Sequence, residues 1–289
     1  MPRIAIITST QCVASMNVRE RLLESGLFEK ADGTFEGNAV FSFKGSVKEG
    51  AAVYDDIRLY LIGERLIFFE DPEQRIDADL FIFLSKHRAK SGIPSVTVHV
   101  TGNVSKAEFG GRDRSLCIAP ALWMHKAYRC LADAAGGSRY DAIMEATHHG
   151  PYSEKPVMFL ELGSLENEWV DPEGGKIVVH ALLRLLNEGP SQPAQPSEQG
   201  LSCAVGLGGL HHVPVLIKGV QRDQYALGHV VPKHQLDALD EAMLHQAMDR
   251  TDPPASLVVL DWKGLGAHKQ RLRKLLDDAG IAWQRSDKQ

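Results

Sequence analysis

The feature that most constrains the fold is the alternation along the chain of short apolar runs with longer segments of helical periodicity. The short runs are about 4–8 residues long and rich in β-branched or aromatic residues, which is typical of buried strands. The predicted strands are Arg3–Ile7, Asn38–Phe43, Ile57–Ile62, Leu66–Phe69, Leu80–Leu84, Ser95–Thr101, Tyr140–Ala146, Val157–Leu162, Ser202–Gly206, Tyr225–Val230 and Ser256–Asp261. The predicted helices are Met16–Ser25, Ala121–Ala135, Leu165–Asn187, Leu236–Ala247 and His268–Ala279. This order predicts an α/β fold with a central mixed sheet flanked by helices.

The domain organisation follows from the length and from one biased segment. The chain has 289 residues, enough for one large domain or two small ones. Residues 189–200 carry three prolines and few apolar side chains, which indicates a flexible surface insertion. Because the strand–helix rhythm resumes after it without a change in composition, we predict a single domain over residues 1–289. Gly63-Glu64, between two predicted strands, suggests a hairpin.

Several classes of protein are excluded by what the sequence lacks. No apolar run approaches the roughly 20 residues of a membrane-spanning helix. The four cysteines are scattered and form no CxxC pair, and together with the lack of an apolar run of signal-peptide length they favour a reducing, cytoplasmic setting. The nucleophile-elbow motif GxSxG, the zinc-protease motif HExxH and the P-loop are all missing.

Histidines and a glutamate collect near the ends of predicted strands. The members of this group are His87, His99, His148, His149, Glu161, His211, His212 and His229. In α/β sheets, ligands bind beyond the carboxyl ends of the strands, so a shared site is the better interpretation, although any one of these histidines taken alone is more often structural. On extended backbone, neighbouring side chains face opposite ways. We therefore expect only one of His148 and His149, and only one of His211 and His212, to enter the site.

This set of side chains fits two kinds of chemistry. Neutral imidazoles and a carboxylate are zinc ligands, and a zinc-bound water ionises near pH 7. A histidine–glutamate acid–base site without metal uses the same residues. The spacing alone leaves both open.

The net charge of −5 argues against a protein that coats nucleic-acid duplexes. Its distribution is uneven, because residues 263–289 carry seven basic against three acidic residues, a net of +4 that leaves −9 for the rest. A second basic run, Lys86, Arg88 and Lys90, lies in a segment without acidic residues. Each run is either a solvated surface or a local contact for phosphates.

Taken together, the motifs resemble the archaeal and plant type of D-aminoacyl-tRNA deacylase. The residues that carry the resemblance are Ser85-Lys-His-Arg, Gly92-Ile-Pro, Thr97-Val-His, Gly102-Asn103, Thr147-His-His-Gly-Pro151, Phe159-Leu-Glu-Leu-Gly-Ser164 with Trp169, Gly208-Gly-Leu-His211, Gly228-His-Val-Val-Pro-Lys233 and Asp261-Trp-Lys-Gly-Leu265. The sequence departs from the family pattern at His212 and His234, where tyrosine is expected. His212 leaves open which member of its pair acts.

The resemblance implies an enzyme that hydrolyses the ester between a D-amino acid and the 3′ end of tRNA, and so frees the tRNA and removes the wrongly handed residue. It also implies a fold similar to those of nucleoside phosphorylases and bacterial peptidyl-tRNA hydrolase, zinc dependence, and no membrane partner. A monomer is compatible with the sequence, which carries no information on oligomeric state.

On this basis we predict metal-assisted ester hydrolysis. The predicted catalytic residues are His149, Glu161 and His229, and the predicted zinc ligands are His148, His149, His211 and Glu161. The predicted substrate-binding residues are Lys86, His87, Arg88, Lys90, Gly208, Gly209 and Lys263, with the two glycine amides as donors to the oxyanion. The alternatives are another metal-dependent hydrolase or nucleoside phosphorylase of similar fold, and a tRNA-binding module without activity.

Overall fold

The computed structural model describes residues 2–49, 52–191 and 201–287. The strands, in chain order, are β1 (Arg3–Ser9), β2 (Phe28–Phe35), β3 (Asn38–Phe43), β4 (Val47–Glu49), β5 (Ala52–Tyr54), β6 (Asp56–Ile62), β7 (Leu80–Lys86), β8 (Ser95–His99), β9 (Gly102–Asn103), β10 (Ser115–Leu116), β11 (Ala119–Pro120), β12 (Asp141–Met144), β13 (Val157–Gly163), β14 (Ser202–Leu207), β15 (Tyr225–Val231), β16 (Thr251–Asp252), β17 (Leu257–Leu260) and β18 (Trp283–Arg285).

The α-helices are α1 (Val13–Glu24), α2 (Ala121–Ala135), α3 (Glu166–Trp169), α4 (Pro172–Glu188), α5 (Ile217–Gln221), α6 (Glu241–Asp249) and α7 (Lys269–Asp278). The longest of them, α4, begins where the sequence places Asp171 before Pro172. The Asp171 side chain accepts a hydrogen bond from the Glu173 amide, and Pro172 occupies the first turn, where no amide hydrogen is needed. This break separates α3 from α4 within the segment that periodicity alone predicts as one helix.

The centre of the molecule is an eight-stranded mixed sheet in the order β12-β8-β13-β7-β1-β6-β3-β2. Its inner strands β13, β7, β1 and β6 are parallel to one another, whereas β8 runs antiparallel to β13. Helix α4 packs on both α1 and α2, and all three helices also contact the sheet. The predicted α/β class with a central mixed sheet is confirmed.

The last three predicted strands, β14, β15 and β17, form a separate parallel sheet together with the short strand β18. Its order is β15-β14-β17-β18. One buried apolar core includes residues from both sheets, among them Phe83 and Tyr225, so the two sheets share packing. Two hydrogen bonds also join them, from the Ala146 amide to the His211 carbonyl (2.8 Å) and from the Thr147 amide to the Val230 carbonyl (3.0 Å).

Two local predictions are wrong and one lies partly outside the structure. Residues Leu66–Phe68 form a 3₁₀ turn rather than a strand, so Gly63-Glu64 connects β6 to that turn and makes no hairpin. Of the insertion at 189–200, residues 192–200 lie outside the described residues. Within the part of the chain that is described, no helix is long and apolar enough to cross a membrane.

Candidate active site

The site lies where several strands end, because His99 is the last residue of β8 and because His87 and Glu145 directly follow β7 and β12. Because β8 is antiparallel to β13, His99 at the end of β8 pairs with Phe159 in the middle of β13. Glu161 is paired with Ser85 of β7, and His87 extends that strand by donating its amide to the Leu162 carbonyl. Side chains two residues apart on a strand share a face, so His99, Glu161 and His87 point to the same side.

Two buried carboxylates share the His87 imidazole. Its Nδ1 lies 3.2 Å from Glu145 Oε1 and 3.7 Å from Glu161 Oε2, and both carboxylate side chains are at most 4% exposed. Burial opposes a charge on His87, but the Glu145 carboxylate, aided by Glu161, outweighs it and raises the pKa of His87 to about 10. Burial likewise opposes the charge on Glu145, but nearby His87 and His211 hold the pKa of that carboxyl well below its usual range. His211 Nε2 closes this side of the site at 2.9 Å from Glu145 Oε2.

Three histidines on the other side of the carboxylates share one arrangement. His99, His148 and His149 each place Nδ1 against a backbone carbonyl, that of Val100 (3.2 Å), Ala146 (2.8 Å) and Gly150 (2.5 Å) respectively. In each ring Nδ1–H therefore donates, and Nε2 is the nitrogen that can bind a metal ion or a second proton. At His99 burial opposes the second proton, but the nearby Glu161 carboxylate outweighs it and raises the pKa. Their ring centroids lie 4.2–5.0 Å apart. Burial lowers the pKa of His149 to about 4 and keeps that of His148 well below its usual range.

Both members of each histidine pair belong to this cluster, so the prediction that only one would enter is wrong. The His149 backbone has φ +43°, in the left-handed region, which turns the chain and brings its ring beside that of His148. His211 and His212 lie in a turn rather than on extended backbone, and the His212 ring is 5.2 Å from that of His87. The alternation rule holds only for extended chain.

An open cleft of about 800 Å³ leads to the cluster. Lys86 and Arg88 line it as predicted, and both cations lie over the Trp169 ring, at 4.8 and 5.9 Å from its centroid. Trp169 Nε1 donates to the His87 carbonyl (2.8 Å), so one aromatic ring fixes the end of β7 and supports both cations.

Five of the predicted site residues do not line the cleft. Lys90, Gly208, Gly209 and Lys263 are not among the described residues that line it. The Gly208 amide donates to the Val231 carbonyl (2.9 Å), so it is not free to stabilise an oxyanion. Nor does His229 line the cleft. It is fully buried, its Nε2 donates to the Cys117 carbonyl (3.0 Å) and its Nδ1 accepts from the Thr147 hydroxyl (3.1 Å).

Three members of the cluster, Glu145, His99 and His212, were not among the predicted site residues. The sequence contains an indication that Glu145 belongs to the site. It is the one charged residue within Ala142–Ala146, and it precedes the His148–His149 pair by three residues. His99 was noted at a strand end but given no role. His99 Nε2 and His87 Nε2 are both buried without a hydrogen-bond partner in the described structure. A buried polar atom left unpaired is costly, so these atoms point to a ligand.

The geometry defines a class of protein: a mixed α/β protein whose cationic cleft leads to a buried cluster of histidines and carboxylates, able to exchange protons or hold a metal ion. Comparison with known proteins gives the family. The profile of the D-aminoacyl-tRNA deacylase family matches residues 74–284, and the chain belongs to this family.

Full-length relatives share the same name. Proteins named D-aminoacyl-tRNA deacylase from Pyrococcus furiosus and Thermococcus kodakarensis are 30% and 31% identical to this chain, and each alignment covers 96% of this chain and 97% of the relative. The relative from Methanosarcina barkeri is 31% identical over 98% of this chain and 89% of its own. A solved structure, described as a conserved protein of unknown function, AF0625, superposes with a TM-score of 0.80 at 26% identity and covers 99% of this chain and 96% of its own.

Proposed function

We propose that the histidine–carboxylate cluster is the site at which this chain hydrolyses the ester of a D-aminoacyl-tRNA, releasing the D-amino acid and free tRNA. The observation that carries the proposal is the cluster itself: three imidazoles with Nε2 presented beside two buried carboxylates, at the end of a cationic cleft, in a chain of this family. We further propose that the chain acts in the cytoplasm, where its tRNA substrate is used. We also propose that it acts as a monomer, since one chain supplies every described member of the cluster.

The residues also fit a zinc ion. One ligand atom from each of His99, His148 and His149 lies within 4.8 Å of the others, and a second such group joins His99 to Glu145 and Glu161. Zinc-bound histidines characteristically donate the other ring nitrogen to a carbonyl, as these three do. We propose His99, His148 and His149 as the ligands, with Glu161 beside them at 3.8 Å from His99 Nε2. The predicted ligand His211 forms a further such group with Glu145 and His148, and its Nε2 lies 2.9 Å from Glu145 Oε2. When bound, zinc would lower the pKa of a ligated water to about 7.

The protein's own groups supply the remaining parts of ester hydrolysis. Glu161 stays ionised, because the neighbouring imidazoles of His87 and His99, at 3.7 and 3.8 Å, outweigh its burial and lower its pKa to about 2. It is the group we assign to orient the attacking water and accept its proton. His87, protonated at neutral pH, has Nε2 without a partner and is assigned to donate to the ester oxygen as negative charge develops there.

The proposal is tested by deacylation of D-tyrosyl-tRNA and L-tyrosyl-tRNA with and without a chelator. We expect rapid release of the D-amino acid, slow release of the L-amino acid, and loss of activity when zinc is removed. Equal rates on the two esters would contradict the selectivity for the D form, and indifference to the chelator would contradict the zinc proposal. Turnover of a nucleoside with phosphate, or no activity at all, would favour the alternatives.

A further inference from the structure

An aromatic side chain without a structural role stands in the wall of the cleft. Phe109 is 60% exposed and lines the cleft, the most exposed aromatic residue of the described chain. Phe68, the next most exposed, is covered by the Arg65 guanidinium, whose carbon lies 4.9 Å from its ring centroid. Phe109 has no aromatic or cationic partner among the described residues. A phenyl ring that stays in water loses the free energy that burial would contribute. An exposed ring in the wall of a cleft therefore indicates a binding surface.

The backbone beneath this ring is held firmly in place. The Phe109 carbonyl accepts the amide of Gly150 (3.0 Å), and the next carbonyl, of Gly110, accepts the Asn103 side-chain amide (3.0 Å). The approach is so close that a Cβ on Gly110 would lie 1.8 Å from the Ile67 carbonyl oxygen. The loop is therefore fixed and its ring is presented to the cleft at little entropic cost on binding.

The same contacts set the position of Phe109 relative to the chemistry. Gly150 follows His149 directly, so a single hydrogen bond ties the Phe109 backbone to the cluster segment. Two exposed cations line the same cleft: Lys106, three residues earlier on the same loop, and Arg65. The exposed carboxylate of Glu108, next to Phe109 in the sequence, lines it as well. No ion pair with either cation occurs among the described residues. An exposed flat ring in a cleft that also carries cations without ion pairs is the kind of surface that binds an unstacked nucleotide.

We propose that Phe109 is the stacking platform for the 3′-terminal base of the tRNA, with Lys106 and Arg65 at the neighbouring phosphates. This inference rests on the proposed function and adds to it the way in which the nucleotide end is recognised. The ester must reach the buried cluster, while the base of the same terminal nucleoside remains outside it. Stacking on Phe109 holds that base, because every base presents a π-face and needs no hydrogen-bond match.

A double-mutant cycle between the protein and the substrate tests the inference. Wild type and Phe109→Ala are assayed on D-tyrosyl-tRNA with the normal terminal adenosine and with an abasic terminal residue. Loss of the ring on normal tRNA is expected to raise KM about tenfold or more, by the usual contribution of base–aromatic stacking, with a smaller change in kcat. On the abasic substrate the two proteins are expected to have equal KM, because the partner of the ring has been removed.

Controls separate stacking from other effects. Phe109→Trp should restore tight binding, and Val170→Ala, at another exposed apolar residue that does not line the cleft, should leave KM unchanged. An equal rise in KM on both substrates, or a rise that depends on the amino acid in a comparison of D-tyrosyl with D-alanyl esters, would overturn the inference.

If wild type does not hydrolyse D-tyrosyl-tRNA, it is the proposed function that fails; if wild type is active and Phe109→Ala matches it, only the inference about Phe109 fails.

Discussion

The imidazole of His87 and the carboxylate of Glu145 lie 3.2 Å apart inside the protein, with side chains 4% and 0% exposed. A second carboxylate, Glu161, lies 3.7 Å from the same nitrogen. Two buried negative charges at this spacing need a compensating cation. A proton on His87 is one such cation and a metal ion on the adjacent histidines is another, so the charge of the cluster links proton binding to metal binding.

Substitution of Glu145 by Gln tests this balance. The amide keeps the shape of the side chain but cannot hold the charge that raises the pKa of His87, so His87 will lose its proton at a lower pH. We expect kcat for D-tyrosyl-tRNA to fall about 100-fold or more, the usual loss when a group that transfers or stabilises a proton is removed. Glu29→Gln, at an exposed position of β2, is the matched control and should retain full activity. An unchanged kcat in Glu145→Gln would show that the carboxylate is not needed.

Zinc content provides a test of the ligand assignment that does not depend on activity. His148→Ala removes one Nε2 from the proposed set and should lower the zinc bound per chain after dialysis, measured by elemental analysis. His245→Ala, at a half-exposed histidine of α6, should bind as much zinc as wild type. Substitution of His211, which contacts Glu145, should affect zinc less than substitution of His148. Equal zinc in wild type and His148→Ala would remove His148 from the ligand set.

The sequence predicts the strands of this fold better than their directions. Hydrophobic runs locate β1, β7, β8 and β13 to within about two residues, because a strand that is buried on both faces is a nearly continuous apolar run. No feature of the local sequence indicates that β8 runs antiparallel to β13. That one reversal brings the carboxyl end of β8 level with the middle of β13, where His99 lies beside Glu161.

For the two histidine pairs, the sequence likewise predicts which residues belong to the site but not how their side chains are oriented. Their membership of a common site follows from their positions near strand ends, but the orientation of each ring depends on backbone angles that the sequence does not display. His149 adopts φ +43°, which few residues other than glycine favour, and the surrounding hydrogen bonds hold it there. A charged residue at the end of an apolar strand, such as Glu145, is the sequence feature that indicates a buried member of the site.

The aromatic floor of the site gives a third prediction. Phe159 stacks on Phe83 at 4.8 Å between centroids and packs against the rings of His99 and His149, each at 5.2 Å. Phe159→Leu should cost about 1 kcal/mol of folding free energy, because it keeps most of the apolar volume, and should lower kcat by loosening both histidines.

The matched control for Phe159 is Phe43→Leu, a buried phenylalanine of β3 that contacts Phe28 far along the sheet from the site. It should lose similar stability in urea unfolding while its kcat stays at the wild-type value. If both variants lose the same fraction of activity, the loss reflects general destabilisation, and Phe159 has no special part in holding the histidines.

The buried His229 predicts how stability depends on pH. Burial lowers its pKa to about 4, while in the unfolded chain it titrates near 6.5. Between these values the unfolded state binds the extra proton, so the free energy of unfolding must fall as pH falls from 6.5 towards 4. From pH 7 to pH 5 this single group should remove about 2 kcal/mol. Urea unfolding of wild type and His229→Gln measures it: the variant should be less stable at pH 7 and the difference should shrink at pH 5. Parallel pH profiles would show that His229 does not titrate in this way.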